Sequence, residues 1–194
     1  MFAYCNNNPV NYVDPTGLSF IDVLSAACDN LLQYLKAFLR YIAPLDEDEK
    51  VLIATIAAEG TWTTNREFVS SSARQAMANV ALNRVGSREW AEYDSVAEIC
   101  QETGFDGCDV NNNDYTECLD YLNNRDGTNK IYERIIWDVM KAYTWDITNG
   151  CQLFYTPATM TIPGSIPNWN FDYLTEVEIE GVDSYYEGRF FKYK

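Results

Sequence analysis

Residues 46–85, DEDEKVLIATIAAEGTWTTNREFVSSSARQAMANVALNRV, decide how this chain is read. They describe two helices joined by a loop. Asp46 and Glu49 have capping-box spacing, and the acidic run from Asp46 to Glu49 suits the positive end of a helix dipole. Within that first helix Leu52, Ile56 and Glu59 follow at i, i+4 and i+7, so the glutamate prolongs the apolar stripe that faces the core. Gly60 is the expected stop. A carboxyl group at that address is desolvated, which favours its protonated form, and an acid still protonated near neutrality is what general acid catalysis requires. The alternative is a partly buried glutamate paired with an arginine, the commoner fate of a helix acid. In the second helix Ala73, Ala76, Met77, Val80 and Ala81 form a small-residue face suited to close packing, and the segment closes with Leu82, Asn83, Arg84 and Val85.

The pattern IAAEG, followed by a helix of small apolar residues ending in LNRV, resembles the cell wall hydrolase family that includes the spore cortex-lytic enzymes. Further along, TNGCQLFYTPATM (148–160) resembles the same family's Thr-Asn-Gly and apolar-aromatic-Tyr-x-Pro-Ala run. The resemblance covers most of residues 49–194. It implies a lysozyme or lytic transglycosylase-like α+β fold, with a helical layer packed on a small antiparallel sheet. It also implies that Glu59 is the catalytic acid and that Asn149 and Tyr155 line the glycan cleft. Gly104-Phe105 looks like the diverged counterpart of a Gln-Phe loop in that family, which makes Phe105 a candidate for stacking on a sugar; a core phenylalanine is the commoner case. Two departures stand out. The family's Arg-Gly-Glu after the catalytic glutamate is replaced by Gly60, Thr61, Trp62 and Thr63 in a longer loop, and the terminal strand Gly188-Arg189-Phe190-Phe191 lacks the family's histidine.

The first 18 residues differ in kind. They are rich in Asn, Pro and Gly and read as extended, turn-broken chain. Phe2-Ala3-Tyr4, then Asn7-Asn8-Pro9-Val10-Asn11, then Asp14-Pro15-Thr16-Gly17-Leu18 resemble the closing motif of the rearrangement-hotspot (Rhs) repeat core. In that family the core forms a shell around a variable C-terminal toxin, and the chain is cut after this leucine. The resemblance therefore implies an Rhs shell in a longer precursor, a cognate immunity protein, and delivery to the periplasm or wall of a target bacterium. The expected organisation is residues 1–18 as the end of the core motif, 19–45 as an amphipathic helix or linker, and 46–194 as the catalytic domain.

Composition narrows the chemistry. A net charge of −15 argues against nucleic acid as substrate, because phosphate binding draws on clustered Lys and Arg. The chain has no histidine, which excludes Ser-His-Asp and Cys-His catalysis and most zinc sites. The six cysteines show no CxxC pair and no zinc spacing, so neither a metal nor another cofactor is expected, and free buried thiols are the default. No signal peptide is evident, and no apolar run is long enough for stable membrane insertion. At 47% hydrophobic residues, the 194-residue chain has ample material for a core.

The remaining expectations are local. Residues 19–43 carry Leu24, Leu31, Leu35, Phe38 and Leu39 at helical spacing, and Pro44 closes that segment. Residues 95–101 suggest a short helix, and GFDGCDVNNNDYTEC (104–118) reads as a loop whose acids do not match a calcium site. Residues 129–147 suggest a helix with Ile131, Ile135, Val139, Ala142 and Tyr143 on one face, ended by Asn149-Gly150. Residues 153–155, 174–179 and 189–193 suggest strands. The activity expected is cleavage of the bond between N-acetylmuramic acid and N-acetylglucosamine in peptidoglycan. Hydrolysis needs a second carboxylate, for which Asp106 and Asp109 are candidates, whereas a lytic transglycosylase needs only one. Two rivals are an inactive glycan-binding module and a toxin domain with a protein target.

Overall fold

The computed structural model describes residues 20–60 and 69–194. The Rhs-like motif of residues 1–18, with its cleavage point, and the Thr61-Trp62-Thr63 loop lie outside them. The described chain runs α1 (Phe20–Ile42), α2 (Glu47–Glu59), α3 (Ser71–Arg84), α4 (Val96–Glu102), α5 (Asn113–Asn123), α6 (Lys130–Ala142), β1 (Leu153–Tyr155), β2 (Leu174–Val177) and β3 (Arg189–Tyr193). The class is α+β: six helices pack on a three-stranded antiparallel sheet of order β1-β3-β2.

Helix α2 begins as its sequence demands. The Asp46 carboxylate accepts the Glu49 N–H at 2.8 Å, and the Glu49 carboxylate accepts the Asp46 N–H at 3.1 Å, a reciprocal capping box. From Val51 to Ala58 every residue of α2 is buried, because α3, α4, α5 and α6 all pack around it. The helix is therefore the axis of the domain and not a one-faced surface helix, which explains why its sequence is apolar or small all round. On α3, Ala73, Ala76, Met77, Val80 and Ala81 are all buried, as their small size suggests.

Three boundaries differ from expectation. A full helix, α5, occupies part of the stretch read as loop; Asn112 caps it by accepting the N–H groups of Asp114 and Tyr115, and Tyr115, Cys118 and Leu122 form its buried side. Helix α6 stops at Ala142, five residues short of Ile147, and Ile131 at its start is exposed rather than in the core face. Its last turn is succeeded by a loop in which the Asn79 side chain takes over, donating to the Ala142 carbonyl and accepting the Ile147 N–H. Strand β2 ends at Val177, two residues early.

The sheet divides two apolar clusters. Phe190 on β3 enters the main core and stacks on Phe154, its partner on β1. Phe191, pointing the other way by the two-residue period of a strand, joins Leu153, Tyr155 and Leu174 in a second cluster. Five cysteines, Cys28, Cys100, Cys108, Cys118 and Cys151, are free thiols. No described helix is long and apolar enough to cross a membrane.

Candidate active site at the end of helix α2

Glu59 is the last residue of α2, and Gly60 caps it with N–H contacts back to Ile56 and Ala58. That position matters twice. The C-terminal end of a helix carries partial negative charge, and the packing of four helices around α2 removes water, so both effects disfavour a carboxylate there. The Glu59 pKa is raised from 4.5 to about 7, with burial the leading cause and the nearby Asp106 carboxylate adding to it. Two groups oppose the rise: the Gly107 N–H, and the guanidinium of Arg84.

Gly107 is the structural partner of the acid. Its N–H donates to Glu59 Oε1 at 2.6 Å. When the acid is protonated, the oxygen that accepts this bond is its carbonyl oxygen and the proton sits on Oε2. The backbone at Gly107 lies directly on the helix end. A Cβ there would stand 2.8 Å from the Thr55 carbonyl oxygen, 2.8 Å from the Glu59 nitrogen and 2.9 Å from Glu59 Cγ. Only a residue without a side chain fits, and the fit is what lets a main-chain donor reach the carboxyl group.

Arg84 does not pair with Glu59. Its Nε donates to the Gln152 carbonyl at 2.7 Å, and one terminal nitrogen donates to the Thr103 carbonyl and hydroxyl at 2.8 and 2.7 Å. The guanidinium lies 4.5 Å over the Trp90 ring and 4.9 Å over the Phe105 ring, an aromatic sandwich. Burial lowers its pKa to about 10, which still leaves it charged at neutral pH. Arg84 acts on Glu59 through space, while its hydrogen bonds tie α3 to Thr103 and Gln152.

The other predicted site residues are distributed differently. Phe105 is 5% exposed, with Arg84 over its ring and Phe154 at 5.7 Å. It sits in the core with Arg84 over its ring, the commoner placement for a phenylalanine, two residues before Gly107. Asn149 is exposed and has φ of 53°, the left-handed turn position that asparagine tolerates, so a backbone requirement accounts for it. Tyr155 is buried in the second cluster; its hydroxyl accepts from Arg189 at 3.0 Å and its ring stacks on Phe191. Neither Asn149 nor Tyr155 is among the groups acting on Glu59. Of the two candidate second acids, Asp106 is exposed beside Glu59, whereas Asp109 accepts from the backbone and side chain of Asn111 within its own turn.

Gly107 and the bracing role of Arg84 are what the sequence did not single out. The signal for Gly107 was a glycine amid others in a polar segment, with nothing local to mark its contact 48 residues away. Among the described residues no cluster of three His, Cys, Asp or Glu side chains is disposed to hold a metal ion. Compared with family models, with curated proteins and with solved structures, the chain has no match.

Proposed function

We propose that residues 46–194 form a peptidoglycan-cleaving domain, of lysozyme or lytic transglycosylase-like design, in which Glu59 is the general acid. The observation that carries this reading is a partly buried carboxyl group at a helix end, clamped through one oxygen by Gly107, with a pKa raised to about 7. Such a group is protonated in a useful fraction at neutral pH and is held in one orientation, the two properties an acid catalyst needs.

In the reaction, Glu59 donates its proton to the glycosidic oxygen between N-acetylmuramic acid and N-acetylglucosamine. The C1–O bond breaks, and positive charge develops at C1 of the muramic ring. The Glu59 carboxylate then accepts the proton of the muramic C6 hydroxyl as that oxygen bonds to C1. The acid is regenerated and a 1,6-anhydro ring closes, so a single carboxyl group completes the cycle. Asp106, exposed beside Glu59, supports a second outcome in which it positions a water and the product is a reducing sugar. The polymorphic-toxin setting adds an Rhs shell, an immunity protein and delivery to the periplasm or wall.

Mass spectrometry of purified peptidoglycan after digestion tests the proposal. Anhydromuramic ends, lighter by one water than hydrolytic ends, are expected, and Glu59→Gln is expected to release at least 100-fold less soluble glycan while folding normally. Wild-type cleavage by that variant removes Glu59 from its role. Mainly reducing ends replace the one-carboxylate route with the Asp106 route. No soluble product from the intact chain favours a glycan-binding module or a protein-directed toxin.

A further inference from the structure

A cavity of about 550 Å³ opens beside the second apolar cluster, with Trp90, Trp169, Tyr173, Tyr193, Glu89 and Asn170 among its walls. Four of those six are aromatic, and two of them face solvent generously: Tyr173 is 67% exposed and Tyr193 39%. The tryptophans are held rigidly. Trp169 meets Tyr155 edge-on at 5.7 Å and Phe191 at 6.0 Å, and Trp90 is held on one face by the Arg84 guanidinium. Rigid aromatic walls accept flat apolar surface at little entropic cost.

The polar groups narrow the ligand. Glu89, exposed at the rim, is an acceptor, and Asn170, whose side-chain oxygen is used by the Asp172 N–H, offers its amide NH₂. Lys194 also lines the cavity, its ammonium donating to the Asp172 carbonyl at 2.6 Å, so the lining balances one cation against Glu89 and does not gather positive charge for a phosphate; an alkyl chain leaves the acceptors and donors unused. A pyranose ring has the matching pattern: apolar C–H faces above and below, hydroxyl groups around the edge, and, when N-acetylated, a carbonyl acceptor for the exposed Asn170 amide.

The cavity is also linked to the acid. Trp90 stacks on Arg84, Arg84 stacks on Phe105, and Phe105 precedes by two residues the Gly107 that holds Glu59. We propose that this aromatic cavity is a binding site for an N-acetylated pyranose, gripping the glycan strand away from the bond that is cut. The substrate class rests on the peptidoglycan-cleaving reading; the site itself does not require Glu59 to react.

The test is calorimetric titration of the full chain with tetra-N-acetylchitotetraose, and with cellotetraose as the ring without acetamido groups. The N-acetylated tetramer is expected to bind the wild-type chain, to lose at least tenfold in affinity on Tyr173→Ala, and to bind Glu59→Gln like wild type. Asn170→Asp, which keeps the oxygen that caps the Asp172 N–H and deletes the NH₂, is expected to erase most of the preference over cellotetraose. Undiminished binding by Tyr173→Ala, or no binding by the wild-type chain, overturns the assignment even if peptidoglycan is cleaved. Binding that depends on Tyr173 in a chain that cleaves no wall upholds the site and removes the catalytic reading instead.

Discussion

Glu59 links chemistry to stability through a single proton. Its folded-state pKa of about 7 lies above the ordinary glutamate value, so the folded chain holds this proton more tightly than the unfolded chain. The sign follows directly. The contribution to stability is complete below about pH 4.5 and is lost as pH rises through 7, an effect of roughly 3 kcal/mol for a shift of this size. The active, protonated form disappears over the same upper range. Peptidoglycan cleavage is therefore expected to be flat in the weakly acidic range and to fall about tenfold per pH unit above 7. A pH–rate profile of the purified chain checks this, and a fall centred near pH 4.5 means that burial does not hold the proton as described.

At the scale of elements, α1 is anchored by its C-terminal end to a carboxylate that gathers three side chains. Glu133 on α6 accepts from the Tyr41 hydroxyl of α1 and the Tyr121 hydroxyl of α5, each at 2.5 Å, and takes a two-pronged contact from Arg125 at 2.9 and 2.7 Å. These bonds, the arginine first, pull its pKa down to about 2. Because that value is depressed, the stabilisation is present above the ordinary glutamate pKa and is lost only as pH falls towards 2. Glu133→Gln is expected to lower stability at pH 7 by about 2 kcal/mol, since Arg125 is left uncompensated, and to shift the urea midpoint accordingly. An unshifted midpoint makes the cluster decorative. Sequence foretold much at this scale. The Asp46-Glu49 cap, the small face of α3 and all three strands were legible because their signals are local. Helix α5 was hidden because Asn112, Asn113 and Asp114 carry turn chemistry, and in this case that chemistry caps a helix whose Tyr115, Cys118 and Leu122 repeat at helical spacing. The end of α6 was misplaced because the competing partner, Asn79, comes from another helix.

The whole molecule is an acidic, helix-rich body with its acid at the inner end of its central helix. The place of Glu59 on a buried face was legible from the stripe it shares with Leu52 and Ile56. The group that holds it, and the sandwich of Arg84 between Trp90 and Phe105, arise from contacts between distant segments and leave no periodic trace. If peptidoglycan is the target, harm depends on compartment. The chain is expected to leave bacterial growth unaffected when made in the cytoplasm and to cause lysis when exported to the periplasm. Viable counts after induction with and without an export signal measure the difference, and equal killing from the cytoplasm points to an intracellular target.

The close seat of Gly107 on the end of α2 also bears on descent. A glutamate and a glycine separated by 48 positions act as one inherited unit, because a side chain at the second displaces the first. The segment between them holds helices α3 and α4, so the pairing is made by the fold and not by local sequence. Replacement of the glycine leaves a glutamate that still looks ancestral in its own helix yet has lost its orienting donor. The mark of a chain built this way is the pair, not the acid alone.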